Sequence, residues 1–397
     1  MMQSTDFLIA GGGIIALTLA KELIKKGVDK IIILEKEAQI AMHASGRNSG
    51  VLHAGIYYPP QTLKAQLCLK GNLLMQDYCK QHQLPLKQTG KVIVAKCVEE
   101  LPTLLKLHER AQQNGATVSL IDESELNNIE PNAKTIQKAL YSHLTAVVDS
   151  KMVIKTLFNE LLNTHKVNIL TNTAFIKPIS PTIVKTNQGQ IQFKQFINAG
   201  GAYADKIAHA FDIANQYYFL PFKGIYKKLR ADKSYLINGS IYPVPDLRNP
   251  FLGVHFTKNI AGDVYVGPTA IPAFGRENYG FIKGIDREML SILCAQFKMF
   301  FTNTQFRHLA INEPRKYFPH FFYQDAKALV KTLQPRWLVP SHKVGIRPQL
   351  INTTSNELVM DFVVIKEDNT LHILNAISPA FTSSMAFAHY IVSHYYT

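Results

Sequence analysis

Gly11-Gly12-Gly13-Ile14-Ile15-Ala16 has the spacing G-x-G-x-x-G/A, which brings backbone N–H groups up to a pyrophosphate. Gly11 permits the tight turn, and Gly13 lets a phosphate approach the main chain. The small Ala16 allows a helix to pack closely on its strand. The helix N-terminus adds a partial positive charge for the phosphates. Glu35 follows Gly13 by 22 residues, where an acid holds ribose hydroxyls and disfavours a 2′-phosphate. This constellation predicts a dinucleotide site. It leaves FAD and NAD both open.

Such a motif needs a strand before it and a helix after it, and the flanking residues supply both. Residues 6–10 read as a short buried strand and 30–34 as a second one. Residues 14–26 read as a helix, with apolar positions at Ile14, Leu17, Ala20, Leu23 and Ile24. That order is βαβ, so a parallel sheet with a right-handed crossover follows. Helices are also expected at 61–83, 101–114, 151–164 and 285–301, and a short strand at 194–198. Between 217 and 270, aromatic and β-branched residues punctuated by Pro, Gly and Asn predict antiparallel strands. The end of the chain reads as strands at 361–366 and 371–374, a loop, and a helix from about Thr382. The expected fold class is α/β. A Rossmann-like parallel-sheet domain collects pieces from both ends of the chain, and an antiparallel-sheet unit is inserted between them.

With 397 residues the chain is long enough for two packed units, at roughly 100–200 residues per domain. A composition of 47% hydrophobic and 18% charged residues excludes disorder, collagen and coiled coil as the dominant state. Cys68, Cys79, Cys97 and Cys294 form no CxxC, so neither a disulfide scaffold nor a zinc site is expected. The simplest reading is a reduced, intracellular chain. The apolar run from Phe7 to Ala20 is shorter than the about 17–25 residues that span a membrane. It also contains glycines and has no basic residue before it, so it makes a poor signal peptide. With the first strand so early in the sequence, no targeting presequence is expected. A net charge of +14 suits anions: phosphates, dicarboxylates or an acidic membrane face. The basic residues are dispersed and form no nucleic-acid motif, so no nucleic-acid partner is expected.

Beyond Glu35 the sequence runs Ala44-Ser45-Gly46-Arg47-Asn48-Ser49-Gly50-Val51-Leu52-His53-Ala54-Gly55-Ile56-Tyr57-Tyr58. It resembles the FAD-contacting loop of the D-amino-acid oxidase-like flavoprotein superfamily. The stretch from Asn48 to Pro60 is similar to the L-2-hydroxyglutarate dehydrogenase/oxidase family in particular. Three further blocks, in the same order as in that family, extend the resemblance over nearly the whole chain. They are Asn198-Ala199-Gly200-Gly201-Ala202-Tyr203-Ala204-Asp205, then Ile241 to Asp246 with Pro250 to Phe256, then Asn375 to Ser384. Departures are modest. Ala16 replaces the commoner third glycine, Lys223 stands in Pro221-Phe222-Lys223-Gly224-Ile225-Tyr226, and Ile225 occupies a position where an acid is expected.

The resemblance implies FAD, held at the motif residues Gly11, Gly13, Ala16 and Glu35 and at Ser45, Arg47, Asn48, Ser49 and Gly50 of the loop. It adds Val148, Gly200, Gly201 and Tyr203, and Pro379, Thr382 and Ser383 near the C-terminus. Thr382 or Ser383 is expected to cap a helix whose N-terminus faces the flavin pyrimidine, where reduced flavin carries negative charge. Oxidation of a 2-hydroxy acid requires C2–H facing flavin N5, a base for the hydroxyl proton, and cations for the carboxylates. His53 and His255 are the candidate bases, since histidine accepts a proton near neutrality. Arg347, in Val344-Gly345-Ile346-Arg347-Pro348, is similar to the superfamily's G-x-R-P arginine, and its planar fork suits a carboxylate. Lys223 and Arg276 are weaker candidates for a second carboxylate, and Arg276 reads better as a surface charge. Tyr57 and Tyr58 bond substrate or pack, and Tyr242 reads as packing.

The expected domains are 1–85, 146–215 and 336–397 for FAD, and 86–145 and 216–335 for substrate. The leading activity is oxidation of L-2-hydroxyglutarate to 2-oxoglutarate, with quinone or oxygen as acceptor. A cytoplasmic location follows, with peripheral contact to the anionic inner face of the cell membrane. The competing readings are glycerol-3-phosphate dehydrogenase, amino-acid or amine oxidase, and a flavin-binding protein without turnover. Free FAD is the default, with His43, His53 and Cys68 as places for a covalent link.

Overall fold

The run Ile31–Leu34 is buried throughout, as its unbroken aliphatic sequence requires of a central parallel strand. In this computed structural model, which describes residues 2–396, it lies between Gln3–Ala10 and Val167–Leu170. Gly189–Asn198 and Thr370–Leu374 continue the sheet beyond Gln3–Ala10, so five neighbouring strands run parallel. The helix Ile14–Lys25 packs against helices Ser150–Asn163 and Ala380–Tyr395. These elements belong to the first of two units, built from residues up to Asn48, Ser150–Leu220 and Arg347 onward.

The second unit comprises Ser49–Asp149 and Pro221–Ile346. Its sheet runs in the order Val118–Asp122, Lys138–Ser142, Lys91–Val94, Ser240–Pro243, His255–Lys258, Val264–Gly267. Pairing is antiparallel except between Lys91–Val94 and Ser240–Pro243, so the expected antiparallel sheet is mixed. One face buries Val92, Val94, Ile241 and Phe256 with Phe322, Ala326 and Leu329. The other buries Ile93, Leu140 and Tyr242 with Leu104 and Leu107 of the helix Leu101–Gln113.

Residues 49–85, expected with the dinucleotide domain, pack in the second unit. The reason is local: Ala54, Ile56 and Tyr57 are buried in one cluster with Ile93, Leu104 and Tyr242. Likewise Val51–Leu52 and Leu86–Lys87 both pair with Ala146–Val148. The helix expected at 285–301 is Met289–Thr302, and two helices not anticipated follow it, Thr304–Asn312 and Pro319–Lys327. No helix among the described residues is long and apolar enough to cross a membrane.

Candidate active site

In the first unit, the loop after Gln3–Ala10 leaves no room for side chains. Gly11 sits at φ 106°, and a Cβ there would meet the Ala199 carbonyl oxygen at 2.4 Å. A Cβ on Gly12 would meet the Glu35 carboxylate at 2.7 Å, and one on Gly13 the Ser45 Oγ at 3.0 Å. Glu35 follows Ile31–Leu34 directly. Its Oε2 accepts from Gly12 N at 3.1 Å and its Oε1 from Glu37 N at 2.9 Å. Burial raises its carboxyl above the usual range despite those two donors. Gly13 caps the first helix with its backbone alone, no acid lies in the first turn, and Ile14 N donates to Ser45 Oγ at 3.0 Å. Ala16 is fully buried in the helix. A turn of helix, Ala44–Arg47, places Ser45 there. Asn48 Nδ2 holds the Ser45 carbonyl at 2.6 Å, and Arg47 Nε donates to the Met42 carbonyl at 2.7 Å.

The second glycine loop follows Gly189–Asn198. A Cβ on Gly200 would meet Ile207 at 2.6 Å, while Gly201 sits at φ 55° with open space beside it. Asn198 is the anchor: its Oδ1 accepts from Gly200 N, and its Nδ2 bonds the Ala204 carbonyl and His372 Nδ1. Tyr203 lies under the cations of Lys36 and Lys206, at 5.2 and 5.7 Å from its ring centre. At the C-terminal helix the sequence expectation needs correcting. The N-cap is Pro379 without a side-chain cap, and Thr382 and Ser383 lie inside the first turn. Pro379 supplies the carbonyl that Ser383 N bonds, so neither hydroxyl residue is at the capping position. Ser383 is fully buried and its Oγ has no hydrogen-bond partner among the described residues. Arg347 sits half-buried in the strand Leu338–Asn352, where the chain re-enters this unit.

In the second unit, Gly50 at φ 77° lies against Val148, whose N–H bonds the Gly50 carbonyl at 2.9 Å. Ser49 Oγ accepts from Val51 N. His53 follows the strand Val51–Leu52, and its carbonyl takes Asn72 Nδ2 at 3.0 Å and Cys68 Sγ at 3.4 Å. Asn114 Nδ2 pins the carbonyls of Gly55 and Tyr58, and Arg110 that of Tyr57, so the whole His53 loop is clamped by helix ends. His255 is buried, stacked on Tyr242 with ring centres 3.7 Å apart. Its Nδ1 lies 2.8 Å from the Gly253 carbonyl, an acceptor with no proton to give. Nδ1 therefore carries the hydrogen, and Nε2 of the neutral ring is the basic nitrogen.

Lys223 is buried, its Nζ donates to the Gly280 carbonyl at 2.7 Å, and desolvation lowers its pKa. Arg276 is not a surface charge. It is 1% exposed and its guanidinium bonds the Glu288 carboxylate at 2.9–3.0 Å, so a counter-ion already occupies it. Ile225 offers no charge, and its N–H bonds Thr269 Oγ1.

A family model described as FAD dependent oxidoreductase matches residues 6–394. The chain belongs to this FAD-dependent oxidoreductase family. Within it, the chain is 36% identical to the mitochondrial L-2-hydroxyglutarate dehydrogenase of Caenorhabditis elegans, over 98% of this chain and 92% of that one. It is 34% identical to the L-2-hydroxyglutarate dehydrogenase of Indibacter alkaliphilus, over 96% of both. Among solved structures, the FAD-bound L-alpha-glycerophosphate oxidase of Mycoplasma pneumoniae shares the fold, with TM-score 0.78, 24% identity, and coverage of 98% and 94%.

The family's FAD fits the first unit on its own observations. A glycine cradle that any Cβ would fill stands at the N-terminus of a helix with no acid in its first turn, next to a buried carboxyl. A second uncapped helix N-terminus, at Pro379, carries the buried Ser383 hydroxyl without a partner.

Several residues that matter here escape a reading of the sequence. Asn72 is fully buried and holds the carbonyls of Leu52, His53 and Leu144 together. Its signal is a polar pair, Asn72 and Gln76, on an otherwise buried helix face. Lys91, fully buried at the head of Lys-Val-Ile-Val, gives no sequence signal beyond one charge in an apolar strand.

Proposed function

We propose that the protein oxidises L-2-hydroxyglutarate to 2-oxoglutarate with its FAD and passes the electrons to quinone or oxygen. The observation that carries this reading is the similarity to L-2-hydroxyglutarate dehydrogenases from an animal and a bacterium, end to end at 34–36% identity. Bound FAD supplies the two-electron acceptor for the hydride leaving C2. His255 Nε2 is the first choice to take the hydroxyl proton, because the Gly253 carbonyl fixes its tautomer. His53 is the second, on a loop clamped by Asn72 and Asn114. Arg347 is assigned to a substrate carboxylate. The motif residues, Ser45, Arg47, Asn48, Ser49, Gly50, Val148, Gly200, Gly201, Tyr203, Pro379, Thr382 and Ser383 are assigned to the cofactor. Most of these cofactor residues belong to the first unit, which is thereby assigned to FAD, while the second, which carries His53 and His255, is assigned to substrate.

Anaerobic addition of L-2-hydroxyglutarate tests this directly. Rapid bleaching of the flavin band near about 450 nm is expected. A band untouched by it but bleached by L-glycerol 3-phosphate or an amino acid removes the assignment.

A cytoplasmic location with peripheral contact to an anionic membrane belongs to the same proposal. On the helix Met289–Thr302, Leu290, Leu293, Phe297 and Phe301 form one exposed apolar row, 37–68% exposed. Phe281 and Phe318 are 82% and 66% exposed nearby in the fold, with Phe281 on Tyr317 and Arg315 over Phe321. Arg307 bonds the carbonyls of Phe300 and Phe301. An exposed apolar row with Arg307 and Arg315 on its neighbouring aromatic residues, in a chain of net charge +14, matches an anionic lipid surface, whereas a second copy would bring like charges together. The double variant F297S/F301S is expected to keep its activity in solution and to lose sedimentation with phosphatidylglycerol vesicles. Equal binding by the variant, or concentration-dependent dimerisation that the variant abolishes, removes the membrane assignment.

A further inference from the structure

On the second unit's sheet, Ser240 pairs with Thr257, and Ile241 with both Phe256 and Val92. That register sets Lys91 beside Ser240. Side chains alternate along a strand, so Lys91, Ser240 and Thr257 share the face that carries Tyr242 and His255. This face is covered by Tyr57 and its neighbours. Lys91 is 1% exposed, and its Nζ stands 4.6 Å from the Tyr57 ring centre and 5.0 Å from that of Tyr242.

Four polar atoms at this place have no hydrogen-bond partner among the described residues: Lys91 Nζ, Tyr57 Oη, Ser240 Oγ and Thr257 Oγ1. All four residues are more than nine-tenths buried. A single buried orphan is uncommon, because each forfeits the hydrogen bonds it made in water. Four at one sheet face, an amine and three hydroxyls with no anion among them, leave donor capacity unmet. The thiol of Cys68 lies within electrostatic range of Lys91, but burial pushes it up to about 12, so it remains neutral and supplies no counter-ion. Desolvation brings Lys91 itself down to about 7, and a bound anion would restore its charge.

We propose that Lys91, with the hydroxyls of Tyr57, Ser240 and Thr257, forms a carboxylate subsite that takes the second carboxylate of the dicarboxylate substrate. An ammonium and three hydroxyl donors match a carboxylate's acceptor-only chemistry. The subsite rests on the proposed activity for its substrate class, and it supplies the second cation that Arg276 cannot, since Glu288 already neutralises Arg276. Lys223 is less suited, being held by the Gly280 carbonyl. The alternative is purely structural: an amine kept between two tyrosine rings by cation–π attraction.

The test compares holoenzyme and its Lys91→Met, Lys91→Arg, Tyr57→Phe and Thr257→Val variants. Flavin reduction is followed with 2-hydroxyglutarate and with 2-hydroxypentanoate, which carries a methyl group in place of the second carboxylate. Glutarate binding is measured by calorimetry. For K91M, KM for 2-hydroxyglutarate is expected to rise about thirtyfold or more. The rate on 2-hydroxypentanoate should hold, glutarate binding should be lost, and K91R should recover part of both. Y57F and T257V carry the test, with smaller rises, if K91M does not fold. A K91M enzyme that still prefers the dicarboxylate as wild type does, or loses both substrates equally, overturns the subsite. Glutarate binding that depends on Lys91 in a protein that leaves L-2-hydroxyglutarate unoxidised keeps the subsite and removes the proposed activity. A wild type that neither binds glutarate nor oxidises 2-hydroxyglutarate removes both.

Discussion

Around the dinucleotide loops of the first unit, buried polar groups are tied to one another. Glu35 takes two backbone N–H groups, and Asn198 bonds Gly200, Ala204 and His372. At the inner sheet face of the second unit, the polar ends of Lys91, Tyr57, Ser240 and Thr257 have no hydrogen-bond partner among the described residues. The first arrangement is preorganised: its geometry is held by main chain and glycines before any ligand arrives. The second stores unmet hydrogen-bonding capacity, which a ligand of complementary charge can satisfy. One region is built for a cofactor that stays, the other for a molecule that comes and goes.

The sharpest way to break the first side of that contrast is Gly11→Val. Its Cβ would enter the Ala199 carbonyl at 2.4 Å, on a φ of 106° that valine does not adopt. The purified protein is expected to be colourless, and full flavin content would refute the cradle. Next in size is His255→Asn, which removes the fixed Nε2. Flavin reduction should slow by about 10²–10⁴-fold with FAD content unchanged. An unaltered rate would transfer the base role to His53.

Acid should then distinguish the two units. Burial brings His372 down to about 4 from its usual 6.5. Its folded form is neutral, so the unfolded chain binds the extra proton as pH falls from about 6.5 to 4. Stability is lost across that window, by up to about 3 kcal/mol. FAD release and a falling Tm between pH 6.5 and 4 are expected for wild type. Lys91 acts with the same sign but in an alkaline window. Its lowered pKa means the unfolded chain binds more protons between about 7 and 10.5, so its contribution to stability rises with pH there. K91M should flatten that rise and leave the acid loss intact. The smallest effect expected is that of Asn72→Ala. It removes one hydrogen bond from each of the carbonyls of Leu52, His53 and Leu144 for about 1–3 kcal/mol, seen as a lower Tm with normal colour.

Much of the first unit was legible in the sequence. The strand, helix and strand around Gly11 to Ala16 begin and end within a few residues of where periodicity and glycine spacing put them. The second unit was legible mainly as texture. Aromatic and β-branched runs announced strands, but their register, which aligns Lys91 with Ser240 and Thr257, depends on pairings across about 150 residues. The helices after Thr302 went unread because each has only nine residues, fewer than the window of about 11–18 over which apolar periodicity stands out.

The sequence alone determined the dinucleotide motif, the βαβ start and the family resemblance, because these rest on local sterics: a glycine turn, an aliphatic strand, a helix start. Only the tertiary structure decided which charges are already used. It neutralised Arg276 with Glu288, moved the capping of the last helix from Thr382 and Ser383 to Pro379, and left Lys91 buried without an acceptor. Burial and pairing are properties of residues distant in the chain, and no spacing along one strand records them.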